Sequence, residues 1–168
     1  DPATSDDAGA RDFMRILDRM KDEGYEVREW SIEDVRRVAP VKGELPKVYT
    51  LLKTVKNATL RVTAFFGETD LTNDAASFHY FWKHALENDS MILYTGHSGI
   101  GKNLHLGLIE KAEGFKIELP VDRYQLILFG GCVSYSYYPR MYFARKSTAE
   151  DALGTRQLDI LSNGAESY

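Results

Sequence analysis

Cysteine is nearly missing from this chain: Cys132 is the only one. A single thiol closes no internal disulfide and cannot join a zinc site built on two or more thiolates, so its chemistry is that of one sulfur. No block of five Lys or Arg occurs, and 21 basic residues against 25 acidic ones leave a net charge of −4. That balance offers no electrostatic footprint for nucleic acid or an anionic membrane surface. Apolar runs are short as well. The longest, such as Met91–Tyr94 and residues 126–129, fall far below the roughly 20 residues of a membrane-crossing helix. Internal repeats and low-complexity segments are absent. The first residue is Asp1 and no charged and apolar leader follows it, which fits a processed, exported protein as well as a fragment and leaves the compartment open.

What is present is a globular composition, 43% hydrophobic, 12% aromatic and 27% charged over 168 residues, enough for one sizeable core. Residues 1–9 are small, polar and acidic and read as a flexible lead-in. Residues 10–168 read as a single α/β domain that could be cut short at either end. Phe13, Ile16, Leu17 and Met20 recur at helical steps over residues 10–23, with Gly24 placed as a C-cap. A short edge strand over 25–30 precedes Ser31, which with Glu33 and Asp34 opens a second helix that Pro40 ends. Val48, Leu51, Leu52 and Val55 predict a third helix from Pro46 or Lys47 to about Lys56.

Three apolar runs, 59–66, 91–95 and 125–129, then read as strands separated by helices over 74–87 and 104–113. A helix over 139–146 and a strand over 157–161 follow. Alternating strands and helices predict βαβ units, and near-continuous apolar strands predict a mainly parallel sheet covered by helices on both faces, a three-layer sandwich. Functional groups of such a sheet gather outside the carboxyl ends of its strands. The residues to weigh are thus 67–74, 96–103 and 130–138.

The loop Gly96-His97-Ser98-Gly99-Ile100-Gly101-Lys102-Asn103 fits parts of three mechanisms. As a phosphate loop, Gly96, Gly101 and Lys102 match, but Asn103 stands where a Mg²⁺-binding Ser or Thr belongs. As a nucleophile elbow, Ser98 matches, but Ile100 stands where the second Gly belongs and no later acid-then-His pair follows. The third reading joins His97 to Cys132. Each lies just past an apolar strand, and if the strands are parallel neighbours both side chains emerge on one edge at similar height. A free thiol, with a pKa near 8.5, is only a few per cent thiolate at neutral pH, and a neighbouring imidazole raises the reactive fraction. Gly96, Gly99, Gly130 and Gly131 permit tight turns and leave backbone N–H groups near the sulfur.

These two blocks resemble the signature of the caspase-like cysteine peptidases, in which one hydrophobic strand runs into a His-containing turn and the next core strand into the nucleophilic Cys. The resemblance covers roughly residues 59–132. It implies a caspase-like fold, His97 as general base, Cys132 as nucleophile, and backbone groups around Ser98, Gly99 and Gly131 as oxyanion donors. The family commonly writes His-Gly where this chain has His97-Ser98-Gly99, and often Ala before the Cys where this chain has Gly131. The implied reaction is hydrolysis of a peptide or protein substrate with neither cofactor nor metal and no nucleic-acid or membrane partner. Such domains often begin with a strand, and none precedes Ala10, so a further segment or subunit would complete the domain. A non-catalytic caspase-like binding or scaffold module, and a nucleotide-binding protein, are the alternatives.

Glu68, Asp70 and Asp74 follow the 59–66 run and could line a pocket for a cationic side chain; the simpler reading is a solvated loop with Asp74 capping the next helix. His79 and His84 are five apart, the wrong spacing for two ligands on one helical face. Tyr135, Tyr137, Tyr138, Tyr142 and Phe143 read as a core- and interface-facing set.

Overall fold

A computed structural model describes residues 8–41 and 44–165. The chain is a mixed α/β protein with two three-stranded sheets, one antiparallel and one parallel. It divides into two compact units, Asp1–Glu68 and Thr69–Tyr168.

The first unit begins with α1 (Ala8–Asp22), so residues 8 and 9 of the expected lead-in are helical; residues 1–7 lie outside the described residues. Gly24, at φ +84°, follows the helix. After β1 (Glu26–Glu29) comes α2 (Ile32–Val38), opened by a reciprocal capping box between Ser31 and Asp34. Two long strands follow, β2 (Lys47–Val55) and β3 (Ala58–Phe66), in sheet order β1-β2-β3 with antiparallel pairing throughout.

Here two expectations fail. The segment read as a helix from 46 to 56 is β2, and the run 59–66 is its hairpin partner rather than a member of the parallel sheet. The reason is that β2 is the central strand. Val48 and Leu51 point to opposite faces, yet each is 1% exposed, so the first half of the strand is buried on both faces and loses the alternation that would mark it. Its apolar residues then fall by chance at helical steps. The rings of Phe13 and Tyr49 lie 5.9 Å apart on one face. On the other, Trp30 Nε1 donates to Thr50 Oγ1 at 2.7 Å.

The second unit holds α3 (Ala76–Asn88), β4 (Met91–Tyr94), α4 (Leu106–Glu113), β5 (Gln125–Phe129), α5 (Ser134–Tyr137), α6 (Pro139–Lys146) and β6 (Leu158–Ser162). Its sheet is parallel, in the order β4-β5-β6, with Tyr94 level with Phe129 and Phe129 with Ser162. Ile92, Tyr94, Ile127, Phe129 and Leu158 are buried on one face. Trp82 of α3 and Tyr142 of α6 pack against Phe129 there, and Trp82 Nε1 donates to the Tyr142 hydroxyl at 3.0 Å. On the opposite face Met91, Leu93 and Leu161 of the outer strands are 65%, 62% and 57% exposed, while Leu126 and Leu128 of the central strand are half-buried. Cover on both faces is expected from the apolar runs; helices of this unit pack on the Phe129 face.

Candidate functional site

The parallel pairing of β4 with β5 governs where the two turns go. Tyr94 and Phe129 are register partners, and the Gly130 N–H donates to the Tyr94 carbonyl at 2.8 Å. His97 and Cys132 each lie three residues beyond that pair, in turns that leave the same edge of the sheet. The turns also touch. Ser98 Oγ donates to the Cys132 carbonyl at 2.6 Å, and a Cβ on Gly131 would lie 2.6 Å from Ser98 Oγ. His97 is exposed, Cys132 half-buried and Ser98 buried.

Each turn is rigidly held. The His97 carbonyl accepts from the Tyr94 hydroxyl at 2.7 Å and from Asn103 Nδ2 at 3.0 Å. The Ser98 carbonyl accepts from the Tyr138 hydroxyl at 2.8 Å. Burial pushes the Tyr138 phenol up to about 12, so it stays a donor across the physiological range. On the other turn, buried Ser134 Oγ lies 2.9 Å from the Phe129 carbonyl and accepts from the Asn163 N–H at 3.0 Å. The Val133 N–H donates to the Ala165 carbonyl at 2.9 Å. Val133 itself sits at φ +50°, a left-handed backbone that a β-branched residue adopts only under constraint.

Of the three candidate acids, Asp70 faces this rim electrostatically. Its carboxyl is held below the usual range, first by the Thr72 backbone N–H and hydroxyl, with smaller contributions from the charges of Lys102 and His97. Asp74 is exposed and does not cap α3: the N-cap is Ala75, with no side-chain cap bond. Glu68 is exposed and is the last residue of the first unit.

Asn103 is the residue that sequence reasoning undervalued. It is fully buried, its Oδ1 accepts from the Leu71 N–H at 3.3 Å, and its Nδ2 holds His97. One carboxamide thus ties the 70–72 segment to the histidine turn. A polar residue directly before the helix expected from residue 104 was the available signal. His79 and His84 are not brought together: His79 is buried with Nδ1 2.7 Å from Glu113 Oε1, while His84 is exposed. Tyr138 and Tyr142 are core residues, whereas Tyr135 is 69% exposed. No group of three potential metal ligands occurs among the described residues. No protein-family model matches the chain, and no match is found among the curated proteins or the solved structures.

Proposed function

We propose that the second unit is a caspase-like cysteine peptidase domain in which Cys132 is the nucleophile and His97 its acid and base. The observation that carries this reading is the matched placement of the two residues, each three positions past the paired Tyr94 and Phe129 on neighbouring parallel strands. In the full three-layer form of that architecture the sheet β4-β5-β6 is the middle layer, and its second face also receives cover.

The chemistry follows from those groups. The Cys132 proton passes to His97 and the sulfur attacks the scissile carbonyl carbon, forming a C–S bond while the carbonyl π electrons move onto oxygen. Backbone N–H groups around Ser98, Gly99 and Gly131 are the donors for that oxyanion. Collapse breaks the C–N bond, and the amine leaves with the proton from His97. Water then gives a proton to His97 and its oxygen replaces sulfur at the acyl carbon, releasing the acid and restoring the thiol. Asp70 is the acid best placed to favour a cationic substrate side chain, so Asp70→Ala should depress cleavage at Arg and Lys selectively; an equal loss on all substrates rejects that role.

Reaction with a cysteine-directed electrophile tests the dyad. Stoichiometric labelling should vanish in Cys132→Ala and slow by about a hundredfold in His97→Ala, the lower end of what a positioned base contributes. Labelling at the same rate with and without the imidazole would make Cys132 an ordinary accessible thiol.

A further inference from the structure

The tip of the histidine loop is built at a conformational disadvantage. Gly99, Ile100 and Gly101 all take left-handed backbone, at φ +56°, +54° and +78°. At the two glycines the surroundings explain the residue: a Cβ on Gly99 would lie 2.2 Å from Asn103 Oδ1, and one on Gly101 would lie 2.8 Å from Tyr137 Cδ1. Ile100 has no such explanation. It is β-branched, the side-chain type least suited to that backbone, and at 83% it is the most exposed large apolar side chain among the described residues. Glycine or asparagine there would relieve the strain and remove apolar surface from water. The loop is also held from behind. The Lys102 N–H donates to the Gly99 carbonyl at 3.2 Å and the Asn103 N–H to the Ser98 carbonyl at 3.3 Å, so the side chain is presented from a firm base three residues from His97. Strain maintained at the rim of a site points to use in that site.

We propose that Ile100 is a specificity residue: it receives an apolar side chain of the peptide substrate on the leaving-amine side of the scissile bond. The side follows from His97, which hands its proton to that amine and carries Ile100 in the same loop. This inference rests on the Cys132–His97 reading.

The test uses the full chain, Ile100→Gly and Ile100→Asn, with three readouts: thermal unfolding, labelling of Cys132 by iodoacetamide, which presents no side chain to Ile100, and cleavage of a peptide library varied at the residues after the cut. Supporting the proposal, both variants melt no lower than the parent, keep His97-dependent labelling, and lose a preference of about tenfold or more for Leu, Ile or Phe over polar residues at those positions. An unchanged preference with labelling intact overturns the role of Ile100 and leaves the dyad standing. Melting several degrees lower in both variants makes the side chain structural and overturns the role as well. Absence of any Cys132-dependent cleavage and of His97-dependent labelling in the parent overturns the dyad, and this inference with it.

Discussion

A methyl group added at Gly131 would meet Ser98 Oγ at 2.6 Å, closer than real carbon contacts come, and the Gly96 carbonyl at a tight 3.0 Å, so the serine turn would have to shift. Gly131→Ala should therefore cost about 1–3 kcal/mol, the range for overpacking a fitted site, and urea denaturation should record it. Ser98→Ala removes one part-buried hydrogen bond to the Cys132 carbonyl and should cost about 1 kcal/mol. The comparison separates steric from polar support for the rim: a larger loss in Ser98→Ala than in Gly131→Ala would mean that the hydroxyl, not the close approach, holds the turns together. Little of this shows in a string of letters. His97, Cys132 and the glycines around them stand out because their types are chemical or conformational extremes, whereas Asn103 and Tyr138 matter through a carboxamide and a hydroxyl whose targets lie far along the chain.

Between the elements, a two-pronged ion pair joins α4 to α6. Buried Glu110 receives Arg145 Nη1 and Nη2 at 2.8 Å each and the Ile117 N–H at 2.9 Å. Arg145 is the first cause and the Ile117 N–H a lesser one of a carboxyl pKa pulled from the usual 4.5 down to about 2. A depressed carboxyl stabilises the fold above its unfolded pKa and loses that contribution as pH falls toward its folded value. Stability should thus drop between about pH 4.5 and pH 2 by on the order of 3 kcal/mol from this group, and Glu110→Gln should flatten that part of the profile. Elements of this unit are also where periodicity reads well. Pro139 opens α6 in its first turn, and β5 spans the apolar run Gln125–Phe129 without remainder. It reads badly at β2, where cover on both faces erases alternation. It also misses the partner of β3, because nothing in residues 59–66 tells a parallel neighbour from a hairpin mate.

At the scale of the molecule, the uneven cover of the parallel sheet separates two kinds of leucine-like position. Ile127 is wholly buried, and Ile127→Ala should cost about 2–5 kcal/mol. Leu93, on the next strand and the other face, is 62% exposed, and Leu93→Lys should stay within about 0.5 kcal/mol. A loss of several kcal/mol in Leu93→Lys, measured by urea denaturation, would mean that the second face is covered in solution. The apolar runs Met91–Tyr94 and Gln125–Phe129 could not announce this difference, since a strand carrying large side chains on both sides reads alike whether or not both are packed.

The pairing pattern also orders the events of folding. A two-residue turn at Lys56 and Asn57 brings β2 to β3, so that hairpin closes a minimal loop. Met91 meets Leu126, and Gln125 meets Leu158, only after the intervening helices have been spanned. Closure of such long segments is slow. In a refolding experiment with pulsed hydrogen exchange, amides of β2 and β3 should gain protection ahead of those of β4, β5 and β6. A refolding intermediate would then hold β2 and β3 paired while the turns that carry His97 and Cys132 are still apart, because those turns meet only through the later pairing of β4 with β5.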